Sequence, residues 1–365
     1  MERLRRLHDE FGQSPWLDNL TRGYLTSGQL VALREAGVRG LTSNPTIFQK
    51  AIEGSPDYDE QFRTLAGAAI EDAYWAMVLA DIRGALDVFA PVHDASDGAD
   101  GFVSVEVSPA LAQDTEGTAA AARRLSDAID RPNLMIKIPA TRAGLPAIRA
   151  MIAEGRSVNV TLIFGLDRYA DVMEAYLAGL QDRARIPGAD LSNVASVASF
   201  FISRVDTEID RRLDAIGSPE ALALRGRAAV AQAKLAYRRF RTVFSGPRWE
   251  ALAARGARVQ RPLWASTSTK NPAYPDTLYV DELIGPDTVN TLPDATLAAF
   301  ADHGRPARTV DVGLDAAEAS WTALAGLGVD VADVADRLET EGLAAFSKSF
   351  DELLGSLDAK AHGLR

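Results

Sequence analysis

Eight short apolar runs, each closing on polar residues and separated by helical stretches, limit the folds open to this chain more than any other feature. They are PWLDNL (15–20), GLTSNPTIF (40–48), FVSVEVSP (102–109), LMIKIPA (134–140), VNVTLIFG (158–165), VASVASFFIS (194–203), RPLWAST (261–267) and DTVNTLP (287–293). Between them, Ala110–Ile129, Gly144–Glu154, Asp167–Asp182 and Glu220–Phe244 carry alanine-, leucine- and arginine-rich helical periodicity. Strands alternating with helices predict a parallel sheet. Eight is the number that closes with a packed interior. The expected fold is therefore α/β, a (β/α)8 TIM barrel; an open doubly wound sheet is the alternative for the same alternation.

Two stretches break the repeat. Residues 52–101 join the second and third runs, with two helices expected over Asp57–Phe89. Residues 295–355 follow the last run and read as mostly helical. Over Val329–Leu357, Leu338, Leu343, Phe346, Phe350, Leu353 and Leu354 recur at about helical spacing. That predicts a helix packed on the outside of the barrel; a lid over the active face is the other reading. No Gly/Ser- or Pro-rich stretch is long enough to be a linker, and GADG (98–101) reads as a turn before a strand. The expected organisation is a single-domain protein: a barrel over residues 1–295 with a C-terminal helical extension over 296–365 packed on it.

Composition narrows function. The 365 residues are 47% hydrophobic and 24% charged, which excludes a disordered or collagen-like chain. The net charge of −11 is the wrong sign for a general nucleic-acid binder. A locally basic pocket can still hold a small anion. There is no cysteine, so disulfides, thiolate catalysis and cysteine-ligated metals are excluded. His8, His93, His303 and His362 stand far apart in sequence without HExxH-type spacing, and no metal site is expected. Met1–Gln13 has no apolar core of the kind a signal peptide needs, and no run approaches about 18 apolar residues, so neither a signal peptide nor a membrane span is expected.

The sharpest anomaly is Lys137, in LMIKIPA. Strand side chains alternate, so Met135, Lys137 and Pro139 share one face and Ile136 and Ile138 the other. With helices covering the isoleucines, Lys137 points into the barrel. Burying an unpaired ammonium costs several kcal/mol. A buried amine that sheds its proton is the nucleophile that makes a Schiff base with a ketone. The plainer reading is a lysine paired with an acid or reaching to the rim. Other polar residues sit near strand ends. Glu106 is flanked by apolar residues and needs a partner on a covered strand. Asp18 closes the first run and alone reads as a turn or cap. Asn159 and Thr161 share a face of VNVTLIF, and Asn44 precedes Pro45, alone only a turn signal. A lysine, two carboxylates, amides and hydroxyls at the ends of different strands is how barrel active sites are built. A lysine nucleophile with two acid–base groups supplies the parts of class I aldol chemistry.

At this point the chain resembles the transaldolases. The resemblance rests on LTSNPTIFQKAI (41–52), SVEVSPALAQDTEGT (104–118), LMIKIPATRAGLPAI (134–148), SVNVTLIFGLDRYADVMEAYLAGL (157–180), ASFFISRVDTEID (198–210) and WASTSTKNPAYPDTLYVDELIGPDTVNTLPDAT (264–296), in order along nearly the whole chain. The length and the KNPAYPDTLYVDELIG stretch resemble the longer bacterial members, often actinobacterial. The resemblance implies a (β/α)8 barrel without metal or organic cofactor, with Lys137 as the Schiff-base lysine. It implies Asp18 as the group that takes the proton from the hydroxyl beside the scissile bond, and Glu106 as the acid that moves protons through a water held with Thr161. Asn44 and Asn159 match the residues that hold the dihydroxyacetone hydroxyls, and Ser199 a small hydroxyl residue of the same pocket. Arg204 and Ser266 match the phosphate site. Where the family often shows an ASFRN-like run, this chain reads ASTSTKN, so the second cation falls to Lys270, a point charge rather than a bidentate fork. Phe201 matches an aromatic lining residue or is core.

The implied reaction is transfer of a dihydroxyacetone unit from sedoheptulose 7-phosphate to glyceraldehyde 3-phosphate, giving erythrose 4-phosphate and fructose 6-phosphate in the non-oxidative pentose phosphate pathway. The expected partners are sugar phosphates, with no nucleic acid and no membrane, and the expected protein is a cytoplasmic monomer or homodimer. Two alternatives stand beside it. One is a simple aldolase of the fructose-6-phosphate aldolase kind, whose members carry glutamine where this chain has Glu106. The other is an inactive barrel that binds sugar phosphates.

Overall fold

The computed structural model describes residues 2–65 and 67–363. Each of the eight runs holds a strand: β1 Gln13–Leu17, β2 Leu41–Thr42, β3 Val103–Glu106, β4 Leu134–Pro139, β5 Val158–Ile163, β6 Ser196–Phe201, β7 Gln260–Ala265 and β8 Thr288–Leu292. They pair in parallel in chain order, and β8 closes on β1, so the sheet is a closed barrel and not an open one. The strands are almost wholly buried because helices cover their outer faces. The second run makes only a two-residue strand. Pro45 then starts the helix Pro45–Ile52, with Asn44 as its N-cap, so the Asn-Pro pair is a strand-to-helix switch.

The barrel interior is layered. At the N-terminal mouth Asp100 accepts hydrogen bonds from Trp16 Nε1 (2.9 Å), Arg39 Nε (2.8 Å) and the Ser14 hydroxyl, with Arg261 Nη2 at 3.5 Å. Burial pushes the Asp100 carboxyl up, but Arg261 and Arg39 overcome this and hold it below the ordinary aspartate range. Trp16 fills the barrel above this cluster. Gly40 is required there, because a Cβ would stand 2.6 Å from the indole and 2.8 Å from the Phe102 carbonyl. One layer higher, Asn159 donates to Ser104 Oγ (3.0 Å) and accepts from Ser199 Oγ (2.7 Å). Glu106 ends β3, and Lys137 and Thr161 lie in the C-terminal halves of β4 and β5.

Two non-glycine residues take left-handed backbone here. Leu162, at φ +60°, follows Thr161 where the β5–β6 register shifts; Ser266, at φ +55°, follows the last residue of β7. Such irregularities re-aim side chains at the rims of barrels.

The expected helices form, with local differences. The stretch Asp57–Phe89 becomes a short helix, Asp59–Thr64, and a long one, Ile70–Ala95. Glu220–Phe244 is broken: Pro219–Leu222 is separated from Ala228–Val243 by a turn with Gly226 at φ +69°. The final helix, Val331–Gly363, runs across strand ends rather than along the outer wall alone. Gly342 lets it pass close to β5, since a Cβ would meet Leu162 at 3.1 Å. Phe350 stacks edge-on against Tyr74, and Thr46 and Ser349 share a 2.8 Å hydrogen bond. Phe346 points into the barrel mouth, 5.7 Å from Lys137 Nζ to the ring centre.

Candidate active site at the C-terminal mouth of the barrel

Lys137 lies on β4 with its neighbours in the register Glu106↔Lys137 and Lys137↔Asn159. Its ammonium is 3.1 Å from Glu106 Oε2 and donates to the Ser43 carbonyl at 3.1 Å. Lysine and glutamate are 4% and 6% exposed, so this is a buried ion pair. Burial pushes the Glu106 carboxyl up and Lys137 partly opposes it. Apart from that ion pair, neither Glu106 oxygen has a hydrogen-bond partner among the described residues, and neither has Thr161 Oγ1. Buried polar atoms of this kind are costly unless something completes them, which is a signature of function.

A cavity of about 120 Å³ opens above Lys137. Its wall includes Asp18, Asn44, Thr161, Ser199, Phe201, Arg204, Ser266 and Lys270, so most of the residues singled out in the sequence converge on one space. Glu106 and Asn159 do not line it; they stand behind Lys137 and Ser199 and act on the cavity through them. Asp18 follows β1 and accepts from Thr42 Oγ1 at 2.8 Å. Burial raises its carboxyl, opposed by Lys137 and by the Thr42 bond. Asn44 spends Oδ1 on the Ile47 N–H of its own helix (2.9 Å), which fixes its side chain at the rim.

The other cations of the cavity wall, Arg204 and Lys270, come from elements other than the Lys137 strand. Arg204 lies in the first turn of the helix Ser203–Ile216, its guanidinium 5.5 Å from the Phe201 ring centre. Glu208, one turn further along the same helix, pairs with Arg211 and Arg212, each at 2.8 Å, and not with Arg204. Burial lowers the Arg204 guanidinium from its ordinary value. Lys270 donates to Ser268 Oγ at 2.7 Å, and burial, then Arg204 and Lys50, lower its ammonium. Two cations on one cavity wall, neither paired with a carboxylate among the described residues, are an arrangement that suits an anion. Ser266 Oγ, 2.8 Å from Ser203 Oγ, ties the two loops together.

Sequence reasoning missed Thr42, Ser268, Thr291 and Phe346, all on the cavity wall. Thr42 and Thr291 bridge each other at 2.6 Å beneath Asp18. A period of two from Asn44 marks Thr42. Nothing local marks Phe346, which needs the final helix to cross the mouth. Among the described residues, no group of three or more His, Cys, Asp or Glu is placed to hold a metal ion.

An eight-stranded parallel barrel with a polar, lysine-floored cavity at its C-terminal mouth belongs to the class of barrel enzymes that work from their strand ends. Comparison with known proteins narrows this. The family described as Transaldolase/Fructose-6-phosphate aldolase matches residues 15–357. The chain is 56% identical over 350 residues to a transaldolase of Parafrankia sp. (strain EAN1pec), covering 95% of each chain. It is 56% identical to a transaldolase of Thermobifida fusca, covering 96% of each, and 54% identical to transaldolase 1 of Streptomyces coelicolor, covering 98% of this chain and 95% of that one. The chain belongs to the transaldolase/fructose-6-phosphate aldolase family.

Proposed function

We propose that Lys137 carries the reaction of this transaldolase-family enzyme, the transfer of a dihydroxyacetone unit from sedoheptulose 7-phosphate to glyceraldehyde 3-phosphate. The observation that carries the reading is the buried Lys137–Glu106 pair beneath a cavity whose wall also carries Arg204 and Lys270. Glu106, raised by burial, is the base that takes the ammonium proton and returns protons as the carbinolamine loses water. Thr161, with its unpaired hydroxyl, is placed to hold the water that relays them. The amine adds to the ketone carbon, water leaves, and the iminium becomes an electron sink. Asp18 takes the proton from the hydroxyl beside the scissile bond. The C–C bond breaks, its electron pair flows to the iminium nitrogen, and the aldose leaves. The enamine then attacks the acceptor aldehyde, and hydrolysis frees Lys137.

Asn44, Asn159 and Ser199 orient the dihydroxyacetone hydroxyls, Asn159 acting from behind Ser199. Arg204, Ser266 and Lys270 take the phosphate. A glutamate rather than a glutamine beside the lysine favours transfer over simple aldol cleavage. We read the protein as a cytoplasmic enzyme, monomeric or homodimeric; among the described residues no helix is long and apolar enough to cross a membrane. Borohydride with fructose 6-phosphate tests the central step. A reduced three-carbon adduct on Lys137, lost in Lys137→Ala, is expected; an adduct on Lys270 instead would overturn the assignment.

A further inference from the structure

Arg204 and Lys270 come from different elements, and their mutual repulsion works against the geometry that an anion needs. Arg204 opens the helix Ser203–Ile216, whereas Lys270 sits in the loop between β7 and the short helix Leu278–Asp281. Two aspartates one turn apart on the arginine's helix grip that loop and the short helix that ends it. Tyr279 Oη donates to Asp206 Oδ2 at 2.7 Å, and Tyr274 Oη to Asp210 Oδ2 at 2.5 Å. The second oxygen of each carboxylate is fixed as well. Asp206 Oδ1 accepts from the Ala229 N–H at 2.7 Å and Asp210 Oδ1 from the Gly226 N–H at 2.9 Å, which anchors both to the start of the helix Ala228–Val243.

The backbone is shaped for this arrangement. Gly226 takes φ +69°, and a Cβ on it would stand 2.7 Å from the Tyr274 ring. Asp206 and Tyr279 are each 1% exposed. Between these side chains lies a cavity of about 270 Å³ with Lys270 on its wall, and Lys270 also lines the cavity above Lys137. The two tyrosines and two aspartates therefore stand behind the lysine, outside the cavity that takes the sugar. A phenol–carboxylate bond is charge-assisted and directional, and a lysine stem is neither. The rigidity of the lysine's position has to come from its loop.

We propose that Tyr274 and Tyr279, held by Asp210 and Asp206, are positioning residues that set the separation of Lys270 from Arg204 and so make the enzyme selective for phosphorylated sugars. The proposal rests on Arg204 and Lys270 being the phosphate ligands. Its test compares fructose 6-phosphate with unphosphorylated fructose as donors, and adds inhibition by inorganic phosphate, in wild type, Lys270→Ala, Tyr274→Phe and the double variant. Tyr274→Phe is expected to raise KM for fructose 6-phosphate and the inhibition constant of phosphate by about 5- to 20-fold, the scale of a lost charge-assisted hydrogen bond partly transmitted. Turnover of fructose should stay within about twofold, as for a residue remote from the chemistry. Added to Lys270→Ala, Tyr274→Phe should cost nothing further.

Equal losses on both donors, or losses that add in the double variant, would make Tyr274 a support of the fold and overturn the proposal. A phosphate-selective loss in Lys270→Ala with none in Tyr274→Phe would overturn the positioning role alone. No phosphate-selective loss in Lys270→Ala would overturn the phosphate assignment, and the proposal with it. Should Tyr274→Phe fail to fold, Tyr279→Phe carries the same comparison.

Discussion

Asp18 and Glu106 flank one lysine but meet it differently, and that difference separates their variants. Glu106 touches the ammonium, so Glu106→Gln should slow formation of any borohydride-trapped adduct by about 10²–10⁴-fold. Asp18 faces the cavity instead, so Asp18→Ala should form the Schiff base and accumulate the adduct of the whole ketose. Mass spectrometry of the trapped enzyme distinguishes the two, and a three-carbon adduct in Asp18→Ala would refute the division. Thr42 adds a pH signature. Asp18 must be ionised to act, and burial has raised its carboxyl, so activity should fall as pH drops through that raised value. The Thr42 bond favours the ionised form, so Thr42→Val should move the acid limb of kcat/KM to higher pH. A limb that stays put or moves down would count against the role. Lys137 and Glu106 stand out in the sequence because charged residues in apolar runs are anomalies, whereas Asp18 alone reads as a turn or cap and is singled out by the resemblance. Thr42 and Thr291 do not stand out, because threonine is an ordinary strand residue and only the closing of β8 on β1 brings the pair together.

The final helix acts as an element because one ring, Phe346, reaches the cavity while the rest of its apolar face packs on strand ends and the helices beside them. Truncating that ring should let water compete with the acceptor aldehyde for the enamine. Phe346→Ala is therefore expected to release more free dihydroxyacetone per transfer event, measured by assaying product with acceptor withheld and supplied. An unchanged ratio would show that the ring only packs. The apolar period of this helix was plain in the sequence, but period fixes which face is buried and not what it is buried against. Elsewhere at this scale, eight strands were legible because covered parallel strands read as short apolar runs. The break inside Glu220–Phe244 was not, since a single Gly226 in a helical pattern signals little until its left-handed backbone is seen. The second run was too long by most of its length, because Asn44 and Pro45 start a helix where the run still looks apolar.

For the molecule as a whole, the two mouths of the barrel divide the work. At the N-terminal mouth Asp100 is fully engaged, bound by two guanidiniums, a hydroxyl and an indole. Asp100→Ala would leave Arg39 and Arg261 uncompensated and should cost about 3–5 kcal/mol of stability, read from denaturant midpoints. The folded fraction should keep kcat within about twofold, since the change is far from Lys137. A large kcat loss with little change in midpoint would invert the division. Near the C-terminal mouth the Glu106 carboxylate and the Thr161 hydroxyl are left without hydrogen-bond partners among the described residues, apart from the Lys137–Glu106 ion pair. The barrel is also unevenly stitched. β1 and β2 share the single register pair Leu17↔Leu41, against five between β1 and β8 and six between β6 and β7. The same short segment supplies Thr42 to Asp18, the Ser43 carbonyl to Lys137 and Asn44 to the rim. On gentle warming, the amides of residues 41–44 should exchange with deuterium before those of β6, and the enzyme should fall silent while most of the barrel is still closed.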